Sequence, residues 1–141
     1  MNRQGSTDER LARVPLFDGV SKKHLAQISN LMTPVALAAG DVLARQGEIG
    51  REFVILLEGE VDIARDGKVI AVRGPGDYIG EIALLDNQRR TATVTAKTDV
   101  AAEVLNRAEF ASLLEAAPEL SSRLMATLAR RVTELEGEPG S

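Results

Sequence analysis

Eight of the twelve glycines fall between Gly40 and Gly80, spaced a few residues apart with short apolar runs between them. No helix of ordinary length fits that spacing, because glycine interrupts helices and marks turns. Short apolar runs bounded by turn residues instead predict many short strands, hence a sandwich or barrel. Residues 53–57 and 61–64, separated by Gly59, read as consecutive strands. Asp66-Gly67 reads as a tight hairpin turn between Ile63 and Val69. Residues 92–96 and 100–105 read as two further strands, while Arg45-Gln46-Gly47-Glu48 reads as a turn. The whole of 34–105 then composes a β-roll of the jelly-roll type.

Helical patterns flank this region. Leu11, Val14, Leu16 and Phe17 predict a short helix and turn. Ser21 predicts the cap of a second helix running to about Met32, with Leu25, Ile28 and Met32 on one face and Pro34 as its stop. Asn106 and Glu109 have capping-box spacing, so a helix is expected from there to about Ala116, and Pro118 opens another. In that last helix Leu120, Leu124, Leu128, Val132 and Leu135 form one apolar stripe. A single domain is therefore expected over 8–136, helical at 8–33 and 106–136, with polar tails at 1–7 and 137–141.

Composition removes several classes of function. The 141 residues contain no cysteine, so disulfides and thiol chemistry are excluded. A net charge of -4 disfavours a polyanion-binding face, so no nucleic acid is expected as a partner. No apolar run approaches a bilayer span, and the first residues carry no leader pattern, so no membrane and a cytoplasmic location are expected. His24 is the one histidine and reads as a surface residue. A metal-dependent cupin enzyme needs several, which makes that reading the weakest. No Ser-His-Asp set can be assembled, and neither a catalytic residue nor a metal or cofactor is assigned.

The chemistry concentrates in residues 76–94, GDYIGEIALLDNQRRTATV. Glu81 to Leu85 is long enough for about one and a half helical turns. Its use would be its N-terminus, where backbone N–H groups and the helix dipole attract phosphate. Arg90 would complete an anion site by forking two N–H bonds onto phosphate oxygens. Glu81 would accept a hydrogen bond from a sugar hydroxyl. Thr91 offers a hydroxyl and an N–H, and Arg89 reads as solvated.

At these positions the sequence resembles the cyclic nucleotide-binding domain family, whose phosphate-binding cassette runs F-G-E-[LI]-A-L-L, then P-R-[TSA]-A-[TS]-V. Gly80 to Leu85 and Arg90 to Val94 fall on that pattern; Ile79 stands where Phe is usual and Arg89 where Pro is usual. The resemblance extends from about Leu11 to Glu136. It implies a mainly β fold: an eight-stranded roll, or double-stranded β-helix, with N-terminal helices, a short phosphate-binding helix and C-terminal helices. It also implies a ligand, cyclic AMP first and cyclic GMP second, held by Gly80, Glu81, Ile82, Ala83, Arg90, Thr91 and Ala92. Glu81 would take the ribose and Arg90 the phosphate, with Leu124, Leu128, Val132 or Leu135 covering the base. The implied output is movement of the last helix, read by an effector protein or by a second copy in a symmetric dimer. Transcription regulators resembling this domain continue into a helix-turn-helix, and nothing before Ser141 reads as one. The competing expectation is a degenerate roll that binds no nucleotide and serves as an interaction module.

Overall fold

A computed structural model describes residues 9–80 and 89–136 of the chain, with the side chains of Leu128 and of 131–136 outside that description. Among the described residues eight strands form two four-stranded antiparallel sheets. β1 (Thr33–Leu37), β8 (Val100–Asn106), β3 (Glu52–Glu58) and β6 (Tyr78–Ile79) make the first sheet, in that order. β2 (Val42–Ala44), β7 (Thr93–Ala96), β4 (Val61–Arg65) and β5 (Lys68–Arg73) make the second. Successive strands alternate between sheets except at β4–β5, which is the jelly-roll winding expected from the glycine spacing.

The hairpin at Asp66-Gly67 is built as its sequence requires. Both residues lie at positive φ, 53° and 82°, the combination a two-residue type I′ turn needs. A register shift between Ile63 and Ala64 places a bulge one step behind it, which strengthens the local twist.

Strand β3 does not alternate, because Phe53 to Leu57 are all buried. Its two faces serve two cores. Phe53, Ile55 and Leu57 pack with the helical layer, beside Leu11, Phe17, Leu25, Ile28, Phe110 and Leu120. Val54 and Leu56 point into the roll with Val61, Val94, Ala96, Val100 and Ala102. A strand covered on both faces reads as a continuous apolar run.

Helical residues 9–12, the 3-10 turn at Pro15–Phe17 and three longer helices supply the helical layer among the described residues. In α1 (Lys22–Ser29) the Ser21 side chain accepts a hydrogen bond from the His24 N–H, as its cap role predicts. The helix stops three residues short of the expected Met32. Leu31 and Met32 instead donate to the carbonyls of Ile28 and Ser29, tightening the exit into a turn. Pro34 follows not as a helix stop but inside β1, an edge strand, where its missing N–H is tolerated. His24 is half-buried rather than on the open surface.

The capping box at Asn106 and Glu109 is present in both directions, at 2.8 Å each, and opens α2 (Arg107–Ala116). After Pro118 comes α3 (Glu119–Glu136). Its first turns dock through Leu120 and Leu124, which are 0 % and 1 % exposed. No helix of the described residues is long and apolar enough to cross a membrane.

Candidate functional site

The pairing of β3 with β6 decides where the site lies. Val54 faces Ile79 and Ile55 faces Tyr78, so the chain leaves β6 at Gly80 beside the start of β3. Gly80 has φ +96°, a conformation L side chains rarely adopt. A Cβ there would collide with the Arg90 guanidinium and the Glu52 carbonyl oxygen. Glycine is therefore required twice over, by backbone angle and by the approach of Arg90.

Arg90 is half-buried, and its Nη2 donates to the Glu52 carbonyl at 2.7 Å. A carbonyl orients a guanidinium without neutralising it. The main chain of Arg90 is held as firmly. Its N–H donates to the Glu48 carbonyl at 2.7 Å, and its carbonyl accepts from Gly47 N–H at 2.9 Å. Arg89, expected to be solvated, is exposed but donates from Nη1 to the Gly47 carbonyl at 2.7 Å.

The turn at 45–48 thus has a task that its sequence does not announce. Gln46 donates its backbone N–H to Thr93 Oγ1 at 3.0 Å. Its side-chain amide pairs with Asp66 in both directions: Nε2 donates to Oδ1 and Oε1 accepts the Asp66 N–H, each at 2.8 Å. One short segment therefore ties Arg90 and the start of β7 to the tip of the β4–β5 hairpin. Sequence reasoning missed Gln46, Asp66 and the Glu52 carbonyl. Their roles arise from contacts between residues 20 to 47 positions apart, and only Gly47 and Asp66-Gly67 left a local trace, as turns.

The remaining expected site residues divide into two groups. Thr91 is exposed at the mouth of the strand, and Ala92 is buried at 9 % exposure just before β7. Glu81, Ile82 and Ala83 lie outside the described residues, as does the short helix expected to begin there. Of the expected base cover, Leu124 belongs to the helical core, packed with Leu113, Ala117 and Leu120. That burial leaves no face of Leu124 for a ligand in this conformation. Leu128, Val132 and Leu135 lie on α3, with their side chains outside the description. Among the described residues no cluster of three His, Asp or Glu could hold a metal ion.

The same segment decides the family. The pattern described as the cyclic nucleotide-binding domain matches residues 34–117, the β-roll, the cassette and α2. The chain belongs to this family. Within it, the CRP-like cAMP-activated global transcriptional regulator of Mycobacterium tuberculosis is 34 % identical over 130 residues, covering 89 % of this chain and 58 % of the regulator. The structure of cAMP-bound PfPKA-R matches with a TM-score of 0.86 at 26 % identity, over 95 % of this chain and 46 % of that one. The regulatory subunit of a cAMP-independent protein kinase A from Trypanosoma brucei matches with a TM-score of 0.76 at 31 % identity, over 86 % of this chain and 46 % of that one. This chain therefore spans less than two thirds of each of these proteins. Because the regulatory subunit of a cAMP-independent kinase shares the cyclic nucleotide-binding fold, the choice of ligand rests with the cassette residues.

Proposed function

We propose that this chain is a non-enzymatic receptor domain for a cyclic nucleotide, cyclic AMP first, whose last helix passes the signal to a partner protein or a fused effector. The observation that carries the reading is Arg90, pressed against Gly80 and oriented by the Glu52 carbonyl at the end of the family's cassette. An arginine held this way is pre-organised for a single compact anion. In this reading the guanidinium takes the cyclic phosphate. The N–H groups of Ile82 and Ala83 add donors to it, and Glu81 takes the ribose hydroxyl. Thr91, exposed beside Arg90, reaches the phosphate or the base.

The base is covered from α3 by Leu128, Val132 or Leu135, with Leu124 left in the core that anchors the helix. Ligand binding shifts α3 between loose and docked populations by the difference in affinity for the two. A second copy pairing along the same helix in a symmetric dimer is the matching assembly. The domain works in the cytoplasm.

Calorimetric titration with cyclic AMP and cyclic GMP tests the reading. Cyclic AMP is expected to bind, and Arg90→Ala to weaken it by about 2 to 5 kcal/mol, the range for truncating one side of a buried charge pair. Heat from neither nucleotide would leave the interaction module as the correct reading. An Arg90→Ala variant that binds as the parent does would move the phosphate elsewhere.

A further inference from the structure

Between the 3-10 turn at Pro15–Phe17, the loop leading into β6 and one face of α3 lies a groove of about 480 Å3. None of the described residues assigned to the nucleotide lines it. Its walls carry Arg73 from the end of β5 and Arg123 and Arg130 from α3, and among the described lining residues Asp77 is the one carboxylate. Arg123 and Arg130 are seven residues apart, which on a helix places them on one face two turns from each other. The Nη1 of Arg123 donates to the Leu16 carbonyl at 2.6 Å, and the Nη2 of Arg130 donates to Thr127 Oγ1 at 3.2 Å. Both partners are neutral oxygens, so they aim the guanidinium groups without cancelling their charge. On a chain of net charge -4, this is a local positive island.

We propose that this groove docks an acidic segment of a partner protein. Guanidinium groups set along one helix face match carboxylates set along a peptide, each fork taking one carboxylate. Asp77 argues for a peptide over a free phosphate. Its carboxylate, which accepts the Gly74 N–H at 3.0 Å, can also accept a peptide N–H, a donor that a phosphate ion lacks. Pro15 and Ala126, both exposed, add apolar surface for the stems of acidic side chains.

The composition of the walls has a regulatory consequence. Four of the ten lining residues belong to α3 and six to the roll and the 3-10 turn, so the site is complete only when α3 is docked. An occupant therefore favours the docked helix by its differential affinity. If cyclic AMP biases the same helix, as in the proposed receptor function, each ligand must alter the affinity of the other by the same factor. Only this coupling rests on the nucleotide reading; the docking itself does not.

The test is fluorescence anisotropy of a short labelled glutamate-rich peptide with the whole chain, at low salt. A glutamine analogue serves as the neutral control, and each titration is run with and without cyclic AMP. Arg130→Gln is the main variant because Arg130 is exposed, and Arg73→Gln is the second, with folding checked by circular dichroism. Binding of the acidic peptide alone is expected, weakened about tenfold in either variant. Equal binding of the glutamine analogue, or unchanged binding in both folded variants, overturns the proposal. Displacement by inorganic phosphate at the peptide's own concentration overturns it in favour of a small-anion site. A chain that takes the peptide but not cyclic AMP overturns the nucleotide reading and leaves the groove standing. A chain that takes cyclic AMP but not the peptide does the reverse.

Discussion

Gly80 and Gly40 share one backbone angle, φ +96°, in two different surroundings, and that coincidence allows the contact made by Arg90 to be measured. Nothing lies within 4 Å of a Cβ added at Gly40, whereas at Gly80 it meets the Arg90 guanidinium and the Glu52 carbonyl. Alanine at either position incurs the cost of a sparsely populated backbone region, about 1 to 3 kcal/mol. At Gly80 it also displaces Arg90 from its 2.7 Å bond to Glu52, a charge-assisted bond contributing about 1.5 to 3 kcal/mol. The strain is common to both, so it cancels in the difference. The clash with the Glu52 backbone carbonyl adds to this, so Gly80→Ala should be less stable than Gly40→Ala by at least about 1.5 to 3 kcal/mol. Urea unfolding of both variants, with slopes compared to confirm that only stability has changed, reads this directly. In the same preparations Gly80→Ala should lose at least about tenfold in cyclic AMP affinity, because the phosphate ligand has been moved, while Gly40→Ala keeps the parent value. Variants of equal stability, to within about 0.5 kcal/mol, would refute the reasoning and make Arg90's contact with Glu52 energetically idle.

Gln46→Ala removes both side-chain bonds to Asp66 and should destabilise the chain by about 1 to 2 kcal/mol. It should also weaken cyclic AMP binding without touching the ligand; unchanged melting and unchanged titration together would dismiss the clamp. Asn106→Ala removes the acceptor for Glu109 N–H and should cost about 1 kcal/mol in urea unfolding, with Asn106→Asp close to the parent. Leu124→Ala should lose about 2 to 5 kcal/mol, the range for a fully packed leucine, and keep its nucleotide affinity wherever it remains folded. A variant of normal stability but poor affinity would return Leu124 to the base cover.

Much of the architecture was legible in the residues because it depends on local rules. Glycine spacing implied short strands, Asp66-Gly67 implied its hairpin, and Asn106 with Glu109 implied a capping box. Each of these is decided within a few residues of chain, by allowed backbone angles or by orphan N–H groups at a helix end. Arg90 was legible for a different reason, since its place in a cassette is a matter of spacing along the chain. The extent of α1 was not legible, because Leu25, Ile28 and Met32 keep helical spacing whether the last turn is α-helical or tight.

What only the tertiary structure decided are the contacts between distant segments. The all-buried run Phe53 to Leu57 reads as a core strand, but its division between the helical layer and the roll interior follows from where β3 sits in the sheet order. The place of Leu124 in the first turns of α3 made its burial expected, but periodicity names a face and not what covers it, here Leu113, Ala117 and Leu120. The clamp at Gln46 needed a hairpin tip twenty residues away and a strand further still, and no local rule brings three such segments together. The groove of arginines is the extreme case. Arg73, Arg123 and Arg130 are ordinary surface charges in the sequence, and become one site only because the last helix folds back against the roll.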